Sequence, residues 1–189
     1  MKKYILVAGV NGAGKSTLYH LNPNLECKNR VNADDILKEF KGNWKNTSDR
    51  FMAGRKAISL IHSYIDEGVS FNQETTLCGA TIIKNIQKAK EYGFAIEMHY
   101  IGLESSLIAK ERVAKRVAMG GHGVSEDDIE RRYINSFNAF NKVLPLCDLV
   151  AVYDNTTELR RFAIFKNGKL VRLSHRVPQW FTSIYDEDR

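Results

Sequence analysis

Cysteine is scarce in this chain: Cys27, Cys78 and Cys147 are the only ones in 189 residues. Their number is odd, and their spacing shows neither a CxxC pair nor a metal-ligand pattern. A disulfide framework is therefore excluded as the basis of the fold, and reduced thiols in a cytoplasmic protein are expected. No apolar run approaches the length of a membrane span. Met1-Lys2-Lys3 ahead of an apolar stretch imitates a signal peptide, but the stretch is short and is cut by Asn11, by glycines and by Lys15. A soluble, cytoplasmic chain without a membrane partner is expected. Internal repeats, linkers and low-complexity tracts are missing too, so residues 1–189 read as one α/β domain with room for a sizeable core.

Acidic residues are outnumbered, 22 against 28 lysines and arginines, for a net charge of +6. The excess favours anionic partners: a nucleotide, a phosphorylated substrate or nucleic acid. Nucleic acid is the least expected of these. Its binders interleave aromatic and basic residues on an exposed face, whereas the aromatics here fall mostly on stripes that read as buried.

What the chain does have is concentrated near its start. Residues 9–16, Gly-Val-Asn-Gly-Ala-Gly-Lys-Ser, satisfy G-x-x-x-x-G-K-[ST], the phosphate-binding P-loop. The apolar run Tyr4-Ile5-Leu6-Val7-Ala8 predicts a buried strand before it, and Thr17-Leu18 lead into a helix. Gly9, Gly12 and Gly14 permit backbone conformations that a side chain would block, with Asn11 and Ala13 between them. Successive N–H groups can then converge on a polyphosphate at the positive end of the helix dipole. Lys15 brings a charge to the β- and γ-phosphates, and Ser16 offers a hydroxyl to Mg²⁺. ATP and Mg²⁺ are the expected cofactors. No convincing Walker-B acidic residue follows, which speaks against a motor-type ATPase.

Further along, Asn22-Pro23-Asn24 marks a turn. A short strand is expected to end near Asn32, with Asp34 or Asp35 opening a helix. A carboxylate just past a strand's C-terminal end lies where open α/β sheets hold their ligands, although Asp34 also suits a simple N-cap. A long helix runs to about Glu67 with Phe51, Ile58, Ile61 and Ile65 as its buried stripe, while Arg50 and Arg55 read as projecting charges. Residues 69–73 predict a strand with Glu74-Thr75-Thr76 directly after it, residues 80–91 a helix, and residues 94–101 a strand whose His99 reads as structural.

Ser105 or Ser106 can cap the next helix, with Leu107, Val113, Ala114, Val117 and Ala118 gathered on one side and Arg112 and Arg116 on the other. Met119-Gly120-Gly121-His122-Gly123 breaks it. Ser125 opens a second helix whose stripe is Ile129, Tyr133, Phe137, Phe140 and Leu144, with Arg131 pointing away. Residues 105–145 thus read either as a mobile, arginine-bearing lid over a phosphate site or as a basic surface hairpin. Residues 148–153 predict a strand, and Asn167-Gly168 a β-hairpin over about residues 159–174. Trp180 and Phe181 should pack down before an acidic, fraying end. Alternating strands and helices give the fold class: α/β, a P-loop kinase-like, mostly parallel sheet with helices on both faces, a helical lid and an appended C-terminal hairpin.

Taken together the motifs resemble the zeta-toxin family of P-loop kinases, in its compact branch. The matching residues are 8–17, Asn32-Ala33-Asp34, Ala53-Gly54-Arg55, Glu74-Thr75-Thr76-Leu77, Arg112-Val113 with Arg116-Val117, Gly120-Gly121-His122, Arg131-Arg132-Tyr133 and Tyr153-Asp154-Asn155. The resemblance covers about residues 1–155. It implies transfer of the ATP γ-phosphate to a sugar hydroxyl of UDP-N-acetylglucosamine, with an epsilon-type antitoxin as restraining partner. On that resemblance Asp34 is the catalytic aspartate that deprotonates the hydroxyl, and Glu74, with Thr75 and Arg55, contacts the substrate. Lys15 and residues 9–17 hold ATP. Arg116, with Arg112 second, matches one phosphate arginine, and either Arg131 or Arg132 the other. The chain departs from the family at Asn72 and Gln73, where compact relatives carry apolar residues, and at Cys78, where serine is usual. Two rival readings stand beside it: a kinase for another small-molecule hydroxyl on the same scaffold, and a non-catalytic module switched by ATP.

Overall fold

The computed structural model describes residues 1–25 and 27–185. One seven-stranded sheet organises them. In chain order its strands are β1 (Lys3–Ala8), β2 (Arg30–Val31), β3 (Phe71–Thr75), β4 (Ala95–Gly102), β5 (Leu149–Asp154), β6 (Arg160–Lys166) and β7 (Lys169–Leu173). Across the sheet the order is β2-β3-β1-β4-β5-β6-β7. Pairing is parallel from β2 to β5 and antiparallel beyond. The helices are α1 (Lys15–Leu21), α2 (Ala33–Glu39), α3 (Thr47–Glu67), α4 (Ala80–Glu91), α5 (Ser106–Ala118), α6 (Glu126–Val143) and α7 (Gln179–Thr182).

The interior strand β1 shows why the sheet has to be covered twice. Tyr4, Leu6 and Ala8 enter one core, and Ile5 and Val7 enter the other. A strand buried on both faces reads as a continuous apolar run. Leu18 and Tyr19 of α1 and Ala109 and Val113 of α5 close the second core. Ile61 and Ile65 of α3, Ile86 of α4 and Phe140 and Val143 of α6 close the first, together with Trp180 and Phe181. The alternation of strands and helices therefore produced the expected layers. Among the described residues no helix is long and apolar enough to cross a membrane.

Several local expectations are corrected. β3 lies two residues later than predicted, so Glu74 is inside the strand, opposite Val7, rather than beyond it. The polar Asn72 and Gln73 each find one distant partner there, although the buried Asn72 Oδ1 has none among the described residues. Asn72 donates to the Leu25 carbonyl at 2.7 Å, and Gln73 accepts from the Tyr4 hydroxyl. Neither Asp34 nor Asp35 caps α2; Asn32 does, accepting from the Asp34 N–H at 2.9 Å. Phe51 is 65% exposed, and the buried stripe of α3 runs instead through Ala53, Ala57, Ile61 and Ile65.

The phase of α5 is turned as well. Leu107 is 61% and Val117 38% exposed, and Ala114 and Ala118 are exposed with them. Ala109 and Val113 are the buried positions, with the half-buried Arg112 and Arg116 beside them at helical spacing. The hairpin is no separate attachment, because β6 pairs with β5 and continues the main sheet. Asn167 (φ 50°) and Gly168 (φ 74°) make its two-residue turn. Trp180 and Phe181 pack down as expected. The acidic end expected to fray, residues 186–189, lies outside the described residues.

Candidate active site

The parallel strands bring three chemically active segments to one edge of the sheet, the edge where open α/β folds hold ligands. These are the loop after β1, the Asn32–Asp34 turn after β2, and Glu74 near the end of β3. The loop after β1 has the tight geometry that a phosphate cradle needs. Gly14 adopts φ 99° as the residue before α1. A Cβ there would stand 2.2 Å from Asn155 Nδ2, so only glycine fits. Asn155 uses that closeness to donate to the Ala13 carbonyl at 2.8 Å, pinning the loop to the end of β5.

Lys15 is 7% exposed. Its ammonium donates to the carbonyls of Gly9 at 2.8 Å and Val10 at 3.1 Å. Burial holds it below the usual lysine range, and Glu74 and Asp34 pull it back upward. Glu74 is braced in turn. Its Oε2 accepts from Arg30 Nη2 at 2.8 Å and from Asn32 Nδ2 at 3.1 Å, while Oε1 lies 3.9 Å from Lys15 Nζ.

Two chambers open around this group. The smaller, about 250 Å³, is walled by the P-loop, Ser16, Thr17, Arg112, Arg116 and Asn155. The larger, about 520 Å³, lies between α2, α3, the segment after β3 and the start of α6. Its apolar floor includes Ala53, Ala57 and Ile61, and its rim carries Arg50, Arg131 and Arg132. Asn11, Lys15, Asp34 and Glu74 line both. Thr75 lines only the larger, and its hydroxyl accepts from the Leu77 N–H at 3.0 Å.

The arginines divide sharply. Arg112 is occupied with backbone, reaching the Thr156 carbonyl at 3.1 Å and the Gly12 carbonyl at 3.5 Å. Arg116 is the opposite: its Nε and Nη2 are buried with no hydrogen-bond partner among the described residues. A buried guanidinium without an acceptor is costly, and an anion in the smaller chamber would relieve that cost. Arg132 donates to Asn11 Oδ1 at 3.0 Å, at the junction of the chambers. Arg131, largely exposed, pairs with Asp128. Arg55 is placed apart from both chambers, with its guanidinium over the exposed Phe51 ring.

Some of the site was not singled out from sequence. Arg30 and Asn32 hold Glu74, and Arg50 spans Thr47 and Asp128 with its Nε buried and without a partner among the described residues. Asn155 and His122 stood only inside longer matched motifs. Arg50 and Arg30 carried no local signal, because a lone arginine on a helix or at a strand end reads as a solvated charge.

A divalent cation has limited protein support here. Among the described residues no group of three or more His, Cys, Asp or Glu side chains could hold a metal ion. The exposed Ser16 hydroxyl at the start of α1 lines the smaller chamber beside Asp34 and Glu74. The Ser16 hydroxyl alone suits Mg²⁺, which takes oxygen ligands, keeps several waters and relies on substrate phosphates rather than an all-protein cage.

No protein-family model matches the chain. An uncharacterised protein of Haemophilus influenzae is 37% identical over 131 residues, covering 69% of this chain and 92% of that protein. Among solved structures, one from the PezAT chromosomal toxin–antitoxin system of Streptococcus pneumoniae superposes with a TM-score of 0.64 at 18% identity, covering 84% of this chain and 71% of that one. The AvrRxo1-ORF1:-ORF2 structure with ATP gives a TM-score of 0.70 at 14% identity, covering 100% of this chain and 65% of that one. At these identities the likeness is one of fold, and at that level the resemblance read from the motifs holds.

Proposed function

We propose that this chain, which belongs to one family with the Haemophilus influenzae protein and has the fold of the zeta-toxin-like P-loop kinases, transfers the γ-phosphate of ATP to a hydroxyl of a small anionic acceptor. The observation that carries the reading is the meeting of two chambers at Lys15, Asp34 and Glu74, with the bare guanidinium of Arg116 on the phosphate side. A binding module needs one pocket. Phosphoryl transfer needs two substrates in line, with cations and a proton acceptor where they meet.

Position supports the following roles. The P-loop backbone and Lys15 hold the ATP phosphates, and Ser16 would help hold Mg²⁺, which would supply charge neutralisation when bound. Asp34 accepts the proton of the acceptor hydroxyl. The hydroxyl oxygen bonds to the γ-phosphorus as the bond to the β–γ bridging oxygen breaks, and ADP leaves. Arg116 meets the charge on the transferring group. Arg132, on the Asn11 side, is better placed than the exposed Arg131 to be the second phosphate arginine.

The larger chamber favours an acceptor with an anionic part and a flat or apolar part. Arg50 and Arg132 suit the first, and Ala53, Ala57 and Ile61 the second. UDP-N-acetylglucosamine, with a diphosphate and a sugar hydroxyl, meets that description. The kinship in fold with a component of the PezAT system makes a restraining antitoxin the partner to look for. Incubation with ATP, Mg²⁺ and a panel of nucleotide-sugars, read by mass spectrometry, tests the reading. A phosphate-sized mass gain on one acceptor is expected. ATP bound tightly with no product from any small-molecule hydroxyl would sink it in favour of the ATP-switched module.

A further inference from the structure

The loop between α5 and α6 carries one histidine, and that histidine stands against Asp34. His122 Nε2 lies 3.4 Å from Asp34 Oδ1, and the His122 side chain is only 10% exposed. Its ring packs against Trp44, with centroids 5.8 Å apart. Trp44 is held close from the next position on the loop: a Cβ added at Gly123 would come within 2.6 Å of the indole. The imidazole is therefore clamped between an aromatic wall and a carboxylate.

The same loop grips the phosphate side. The Gly121 N–H donates to the Arg116 carbonyl at 2.9 Å, and a Cβ at Gly121 would meet Arg116 Cγ at 2.6 Å. Consecutive residues of one loop thus bear on the arginine of the smaller chamber and on the carboxylate shared by both. Resting on the kinase reading above, we propose that His122 is a positioning residue for phosphoryl transfer: it holds the Asp34 carboxylate in line and ties that placement to the placement of Arg116.

The charges around the ring fit this role. Asp34 and Lys38 face it from α2, Arg116 from α5 and Arg132 from α6, with Trp44 ahead of α3. Burial pushes the imidazole below the usual histidine range, the three cations push the same way, and Asp34 alone pulls it up. The ring is therefore neutral at neutral pH. From 3.4 Å the ring steadies one Asp34 oxygen and leaves the other for the acceptor hydroxyl. Protonation in acid would turn the contact into an ion pair and weaken Asp34 as a base. An acid limb in the rate should therefore belong in part to His122.

The test joins kinetics with a measurement that does not need turnover. His122→Ala should lower kcat by about tenfold to 10²-fold, the cost of a misplaced catalytic group, with the KM for ATP within about twofold. His122→Gln, which can still donate from about the same place but does not titrate, should restore much of kcat and remove the His122 part of the acid limb. NMR titration of the ring protons, assigned by their loss in His122→Gln, should show a lower His122 pKa in Asp34→Asn than in the wild type. The proposal is overturned if His122→Ala keeps kcat within about twofold, if His122→Gln leaves the acid limb unmoved, or if Asp34→Asn does not change the His122 titration. A wild type that binds ATP and phosphorylates nothing sinks the kinase reading and this role with it. The NMR shift still decides separately whether the pairing exists, and ATP affinity and melting temperature of each variant report its folding.

Discussion

Lys15 and Glu74 face each other across 3.9 Å at the point where the two chambers join, and Arg30 holds the far side of Glu74 at 2.8 Å. The carboxylate therefore does not neutralise Lys15 by direct contact. It lines both chambers beside Lys15, braced from behind by Arg30 and Asn32. Glu74→Gln should raise the acceptor KM about tenfold, because a hydrogen bond from the acceptor to a charged oxygen is worth roughly 1.5 kcal/mol or more. ATP affinity should not weaken, since a negative charge near the phosphates has been removed. Calorimetry for ATP beside acceptor kinetics checks this. A variant with weakened ATP binding and an unchanged acceptor KM would place Glu74 on the wrong side of the junction.

Lys15 itself should behave oppositely. Among the described residues its ammonium is the one lysine charge that lines both chambers. Lys15→Ala should weaken ATP binding and abolish transfer, and retention of wild-type ATP affinity and turnover would remove the P-loop from the mechanism.

For Arg116 the expected signature is kinetic. Its Nε and Nη2 have no partner among the described residues, and on the proposed function they meet charge that arrives with the substrate. Arg116→Ala should lower turnover by 10²-fold or more, roughly 2.7 kcal/mol, with a much smaller loss of ATP affinity. An effect within about twofold on kcat would make it a structural charge. Arg112, spent on the Thr156 and Gly12 carbonyls, should instead lose stability when truncated.

What could be read from the chain and what could not divides along a physical line. The P-loop, its strand and its helix were legible because the conformation depends on adjacent residues: Gly14 must take φ 99°, and Lys15 follows it directly. The Asn167-Gly168 turn was legible for the same reason. The phase of α5 was not. Hydrophobicity assigns Leu107 and Val117 to the inside, but the inner face of this helix looks onto a polar site, so Arg112 and Arg116 share the buried side with Ala109 and Val113. Phe51 failed likewise, as it is exposed under the Arg55 guanidinium. The register of β3 and the braces on Glu74 depend on Leu25, Tyr4, Arg30 and Asn32, distant partners that no local pattern announces.

Asn155 links the C-terminal part of the sheet to the cradle through the Ala13 carbonyl, and its neighbour Asp154 accepts from Trp180 Nε1 at 3.0 Å. Asn155→Ala should loosen the loop without unfolding the protein. One neutral hydrogen bond is worth about 1 kcal/mol, or about 2–4 °C in a domain of this size. ATP affinity should fall along with that small change in melting temperature. Full ATP affinity in the variant would show that the P-loop holds its shape without this strut.

The most decisive substitution is at Asp34. The residue lies in the first turn of α2, just after β2, and the N-cap Asn32 accepts from its N–H at 2.9 Å. Its carboxylate lines both chambers and touches His122. Phosphoryl transfer to a hydroxyl needs the nucleophile in line with the γ-phosphate and a group to take its proton as the bond forms. Asparagine keeps the shape and one hydrogen-bonding oxygen but cannot accept that proton. Asp34→Asn should therefore fold, bind ATP with an affinity near that of the wild type, and yield at least about 10²-fold less phosphorylated acceptor, the lower end of what a general base contributes. If expression of the wild type arrests growth, expression of this variant should not. Undiminished product from Asp34→Asn would exclude it as the base and leave Glu74 as the carboxylate at the junction to be tested in its place.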